Sequence, residues 1–183
     1  MLNYSDVQMI YYRNTGTTRY FQRPYYSNLL YTDGVMDFQE SLEAYWLVDT
    51  VISYMPTILE CFNKTEDGFF VVEILIDKNN QGKIEIYREG INQNGDYDEH
   101  IVVISQEIPF VDLPIAKNMS ITSYKMYLQL GNYTPLQFVL MLPTEYWPEY
   151  DFLEKLSRLL LSNLSKQNDQ TTNFKTLCLL NLR

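Results

Sequence analysis

His100 is the only histidine in the chain, and it sits beside Asp98 and Glu99. A histidine next to a carboxylate has the makings of a general base. No GxSxG or cysteine signature places a nucleophile beside it, so no catalytic residue is assigned. One histidine and two distant cysteines, Cys61 and Cys178, do not match zinc-ligand spacing. The run Asp77-Lys78-Asn79-Asn80-Gln81-Gly82 mimics the first half of a calcium loop. Its twelfth position, where a bidentate glutamate is required, is Arg88. The run is read instead as a hairpin turn, with Gly82 supplying a positive φ. No metal site and no cofactor are expected, and the scattered glycines form no phosphate loop.

Two stretches suit binding better than catalysis. The first is the Arg/Tyr-rich N-terminal arm, with Arg19, Tyr20, Arg23 and Tyr25 as contact residues. Arginine interleaved with tyrosine forms protein hot spots and stacks on rings. The second is the acidic stretch 89–99, with Glu89, Asp96, Asp98 and Glu99. Arg19 and Arg23 with Asp33 also define an alternative: an enzyme or ligand pocket in the N-terminal third.

Charge narrows the partner. The net charge is −9, and three arginines against Asp6 leave residues 1–31 at +2 and the rest of the chain at −11. Such a body repels phosphate backbones, so the expected partner is a basic protein and not a nucleic acid. No apolar run reaches membrane-span length, no signal peptide is read, and two cysteines make no disulfide scaffold. A cytoplasmic protein is expected.

These residues need a scaffold. The segment 35–54 has helical periodicity, with Val35, Phe38, Leu42, Tyr45, Trp46 and Ile52 on one side. It predicts one long core helix, N-capped by Thr32 or Asp33 and burying Trp46, with Pro56 either ending it or starting a second short helix. A short helix is expected at 57–62. Strands are expected at 7–12, 19–21, 69–76, 83–88, 101–105, 121–130 and 136–142. Of these, 69–76 and 101–105 read as buried, 83–88 as half-exposed, and 89–99 as a loop. A second amphipathic helix is expected over 150–165. A polar linker then leads to the apolar segment 174–182, which would dock on the domain or on a second copy to give a homodimer. The result is an α+β domain over 1–166, a mostly antiparallel sheet with helices packed on it.

Leu30-Tyr31-Thr32-Asp33-Gly34-Val35 and Ala44-Tyr45-Trp46-Leu47-Val48-Asp49 resemble the helix block of a bacterial domain family of unknown function met on mobile elements. Residues 106–114 and Leu140-Met141-Leu142-Pro143-Thr144-Glu145-Tyr146 are similar to its later segments. The resemblance spans about residues 15–147 and implies no reaction and no catalytic residues. With the charge, it leads to the expectation of a non-enzymatic protein-binding domain. An inhibitor of the anti-CRISPR type, occupying a basic channel of a nucleic-acid-handling complex, is its most specific form.

Overall fold

A computed structural model describes residues 3–131 and 136–146. The expected helix at 150–165, the segment 174–182 with its homodimer, and the boundary at 166 lie outside those residues. Among the described residues three helices and seven strands follow in the order α1 (Tyr4–Arg13), β1 (Tyr20–Gln22), β2 (Leu29–Thr32), α2 (Asp33–Leu42), α3 (Trp46–Thr65), β3 (Phe69–Asp77), β4 (Gly82–Ile91), β5 (Tyr97–Ile108), β6 (Ile121–Leu130) and β7 (Phe138–Met141). A 3₁₀ turn covers Pro143–Glu145. The strands form one sheet in the order β1-β2-β7-β6-β3-β4-β5. Its pairs are antiparallel except β2–β7, which is parallel. The class is α+β with a mixed, mostly antiparallel sheet.

β3 shows how the layers arise. Phe70, Val72, Ile74 and Ile76 are buried and face the helices, while Val71, Glu73 and Leu75 alternate to the other face. Val7 and Ile10 of α1, Val35 and Phe38 of α2, and Leu47, Val48, Val51, Met55 and Ile58 of α3 join the same core. Among the described residues the other sheet face carries no helix.

The segment 7–12 is helix, not strand. The Asn3 side chain accepts from the Ser5 and Asp6 amides at 2.8 and 3.2 Å, and Asp6 accepts from the Asn3 amide at 2.7 Å. This capping box starts a helix, and Val7 and Ile10 then fall on one face at helical spacing.

The single helix expected over 35–54 is two helices. Thr32 caps α2 as expected, accepting from the Val35 amide at 3.3 Å. Glu43 then enters the left-handed region at φ 53°, and the chain restarts as α3 at Trp46. Pro56 neither ends α3 nor starts another helix. The ring lies on the exposed side, while Val51, Met55 and Ile58 continue the buried stripe past it. A mid-helix proline costs about 3 kcal/mol, and each buried apolar side chain contributes about 1.5–3. The stripe therefore outweighs the break. Trp46, at the first turn of α3, is half-buried and packs at the core's margin.

The outer strands also differ from expectation. Residues 89–99 are not a loop but the end of a hairpin, closed where Asn92 accepts from the Asn94 and Asp96 amides at 2.9 and 3.1 Å. Residues 101–105 lie in the edge strand β5, and of them only Ile104 is buried. β4 is the more buried of the pair, with Ile84 and Ile86 fully enclosed.

In the β3–β4 turn the positive φ belongs to Asn80, at 60°. Gly82 is required for space: a Cβ there would meet Val111 Cγ2 at 2.2 Å. Gly82→Ala is expected to lower stability by about 1–3 kcal/mol, the usual cost of overpacking. Thermal denaturation checks this, and an unchanged midpoint would show that Val111 repacks freely.

Candidate binding surfaces

The two groups of expected contact residues lie at opposite edges of the sheet, and the fold does not bring them together. In the N-terminal group, Arg23 is a staple. It donates to Asp49 Oδ1 at 3.0 Å, to Gln39 Oε1 at 3.2 Å and to the Tyr45 carbonyl at 3.2 Å, with its guanidinium 5.8 Å from the Tyr31 ring centre. The Tyr25 hydroxyl donates to the same Asp49 oxygen at 2.7 Å. That hydrogen bond pushes the Tyr25 hydroxyl above its ordinary pKa. Arg23 and Tyr25 thus tie the β1–β2 connection to α3. Asp33 is likewise engaged, accepting from the Thr18 hydroxyl at 2.6 Å. Arg19, over the Phe21 ring, and Tyr20 are exposed.

The acidic group is assembled by β4 and β5. The Tyr97 hydroxyl donates to Glu89 Oε2 at 2.9 Å, and Asp98 accepts from the His100 amide at 2.8 Å. Asp96 closes the tip and Glu99 is exposed. Glu89 and Glu99 rim a depression of about 370 Å³ on the helix-free face. Tyr87, His100 and Tyr127 form its aromatic walls, with Val71 and Lys125 completing it. The Tyr87 and His100 rings stack at 3.8 Å.

Beneath this surface lie two buried carboxylates that the sequence reading passed over. Glu73 and Glu85 face each other across β3 and β4. Glu73 accepts from Tyr87 at 3.1 Å and from Ser123, with Lys125 at 3.6 Å. Glu85 binds Lys83 at 2.6 Å and His100 Nε2 at 3.1 Å. The Lys83 ammonium holds the Glu85 carboxyl below its ordinary value, with His100 adding to the effect. Burial and the Glu73 carboxylate push the Tyr87 hydroxyl well up. The His100 imidazole therefore pairs with Glu85, and only its backbone amide bonds to the neighbouring Asp98. The legible signal was a glutamate in the middle of each apolar strand, in FFVVEILI and KIEIYR. Such a residue needs partners from adjacent strands. Among the described residues, no three His, Cys, Asp or Glu side chains gather as metal ligands.

A third carboxylate, Glu145, joins segments far apart in sequence. It accepts from the Thr32 hydroxyl at 2.6 Å, the Leu142 amide at 2.9 Å, and the Gly34 amide and Thr17 hydroxyl at 3.2 Å each. A carboxylate at the start of α2 also meets the positive pole of that helix. A Cβ on Gly34 would lie 2.6 Å from the Glu145 carboxyl carbon, so this approach demands glycine. Burial raises the Glu145 pKa above its ordinary value against these donors.

The fold and these surfaces define an α+β domain whose outer strands present an acidic, aromatic-lined face. The chain belongs to the family of unknown function DUF6876, whose model matches residues 8–146. No curated protein and no solved structure matches it. Two of the blocks that carry the resemblance meet in space as a fold contact, Thr32 and Gly34 at Glu145, while Asp49 of a third is held by Arg23 outside the blocks. No helix among the described residues is long and apolar enough to cross a membrane.

Proposed function

We propose that this chain is a cytoplasmic protein-binding module that takes a basic, extended segment of its partner along the β5 edge. The observation that carries this reading is the edge itself. β5 runs for 12 residues, Tyr97–Ile108, and among the described residues no strand pairs with its outer side. Natural edges are commonly blunted by lysine or proline. This one has neither; it places Asp98, Glu99 and Glu107 around an apolar centre, Ile101–Ile104, with Val102 44 % exposed. Strand addition would satisfy its outer amides and carbonyls, and its charge selects a segment with lysine or arginine flanking alternating apolar residues. A second copy fits poorly. Antiparallel pairing of two β5 strands about their apolar centre sets Asp98 against Glu107 at both ends, like against like.

The most specific form of this reading is an inhibitor that occupies a basic nucleic-acid-handling complex, the anti-CRISPR type. Its support is the net charge of −9 and the resemblance to domains met on mobile elements.

Selection of a random extended-peptide library on the full chain tests the reading. Selected peptides are expected to combine alternating apolar residues with flanking lysine or arginine, and to slow hydrogen exchange of β5 amides. Val102→Lys should abolish their binding. Neutralising Glu89, Asp96, Asp98 and Glu99 with Asn or Gln should slow association and flatten its salt dependence, because exposed charges act over about 8 Å at physiological ionic strength. Acidic or patternless peptides, or binding indifferent to Val102→Lys, would overturn it.

A further inference from the structure

The aromatic depression on the helix-free face reaches the β5 edge, and its charges are sorted along that direction. Lys125 and Tyr127 come from β6, Tyr87 and Glu89 from β4, and Glu99 and His100 from β5. The sheet order β6-β3-β4-β5 puts the lysine at the inner end and both carboxylates at the end beside the edge. Lys125 lies 3.6 Å from Glu73 and is paired with it. A cation arriving from the β5 side therefore meets Glu99 and Glu89 before it meets any positive charge.

Two features mark this end as built. First, Glu99 and His100 are consecutive residues of one strand, and consecutive strand side chains ordinarily point to opposite faces. Both nevertheless line the depression. The β4–β5 register shifts between Arg88 and Gly90, opposite these two residues. Such an irregularity re-aims a side chain and is common beside functional sites. Second, two carboxylates are kept buried beneath the rings, Glu73 at 7 % exposure and Glu85 at 8 %. Neither faces the helices. A buried carboxylate is costly unless it is paired. Glu73 accepts from the Tyr87 hydroxyl at 3.1 Å, and Glu85 binds His100 Nε2 at 3.1 Å. The two carboxylates thus fix the two rings, which stack 30° from parallel. Of the pair, Tyr87 is buried and His100 is exposed.

A flat ring stack held from below, with carboxylates at its side, matches a planar guanidinium. That group stacks on aromatic faces and donates paired hydrogen bonds to carboxylates. A lysine ammonium is a compact point charge without a flat face, and a quaternary ammonium has no N–H to give Glu99 or Glu89. We propose that the depression is the arginine pocket of the β5 docking edge. The guanidinium of one partner arginine lies on the His100–Tyr87 stack, beside Glu99 and Glu89. An added strand runs about 4.8 Å outside β5, so an arginine laid inward across β5 reaches the imidazole. Rings already fixed by Glu73 and Glu85 lower the ordering cost of binding. The pocket deepens the β5 reading, on which it rests for the strand that delivers the arginine.

Two titrations of the full chain separate the pocket from the edge. The first uses N-acetylarginine amide, N-acetyllysine amide and N-acetyl-trimethyllysine amide, followed by the NMR signals of the His100 and Tyr87 rings. The arginine probe should saturate with a Kd of about 10 mM or tighter, and both lysine probes should bind at least about fivefold more weakly. His100→Ala and Glu99→Gln should each weaken the arginine probe by about fivefold or more. Glu99 is exposed, so Glu99→Gln keeps the fold even if His100→Ala disturbs the edge. This arm judges the pocket whether or not any strand docks: no saturation, a preference for either lysine probe, or indifference to Glu99→Gln and His100→Ala overturns it. The second arm takes the library-selected peptides and replaces each arginine in turn by lysine. At one position the change should weaken binding by about tenfold, while peptides that still bind continue to protect β5 amides from exchange. Peptides that protect β5 but accept lysine at every position overturn the pocket and leave the edge reading standing.

Discussion

Glu145→Ala is expected to destabilise the domain by about 3–5 kcal/mol at neutral pH, because it strips the acceptor from several enclosed donors at once. The Thr32 hydroxyl and the Gly34 and Leu142 amides lie in the buried part of the site, and the Thr17 hydroxyl lies at its margin. Each buried donor left unpaired costs about 1–3 kcal/mol, and the losses overlap because one cavity serves them all. Gly34→Ala attacks the same contact from the other side, since its methyl would overlap the carboxyl group. Chemical denaturation measures both variants. A loss under about 1 kcal/mol for Glu145→Ala would mean that water replaces the carboxylate at little cost.

The same residue gives a pH signature of defined sign. Burial raises the folded-state pKa of Glu145 above its unfolded value. Its contribution is therefore fully present below the ordinary glutamate range and is lost as pH rises through the raised folded value. Glu145→Gln cannot titrate. The stability of the wild type relative to Glu145→Gln should thus fall as pH rises from about 4.5. Asp33, Asp37 and Glu85 have lowered values, so their contributions are lost instead as pH falls through those values. They are common to both proteins and cancel in the difference. A relative stability that rose with pH would reverse the assignment for Glu145.

Much of the scaffold was legible because its signals are local. Thr32 and Asp33 before an apolar periodic run announced a cap for α2, which Thr32 supplies, and the run 69–76 announced a central strand. What escaped was set by contacts distant in sequence. Nothing in Ser41-Leu42-Glu43-Ala44 breaks a helix; no glycine or proline stands there. The left-handed turn at Glu43 is instead accompanied by Ala44, 1 % exposed, entering the core. The run Ile101–Ile104 has the composition of a buried strand. Composition cannot say whether one neighbour strand or two will form, and among the described residues β5 has one. Asn3 and Asp6, by contrast, spelled a capping box that outranked the β propensity of the residues after it. At the surfaces, residue type alone does not separate contact residues from staples. Arg23 and Tyr25 had the composition of a hot spot, yet Asp49 holds both.

Phe38→Ala is expected to cost about 3–5 kcal/mol, the range for truncating a large aromatic in a close-packed core, and Trp46→Ala clearly less. The sequence pattern put both on one helical stripe with Trp46 as the core anchor; the break at Glu43 separates them. Phe38 is 0 % exposed. Its ring meets Tyr11 of α1 edge-on at 6.1 Å and Tyr124 of β6 at 6.0 Å. It is therefore one contact through which α1 and α2 pack on the sheet, beside Val7, Ile10 and Val35. Both tyrosines are committed to backbone carbonyls, Tyr11 to Lys125 at 3.0 Å and Tyr124 to Pro114, so neither can swing in to fill the space left by alanine. A site that cannot collapse sits at the costly end of the range. Trp46 is only half-buried and loses only partial burial when truncated, a change nearer 1–2 kcal/mol at about 25 cal/mol per Å² of apolar surface. Equilibrium denaturation of the two variants decides the order. Should Trp46→Ala prove the more damaging, the core is centred on the start of α3 and not on the α1–α2–β6 contact.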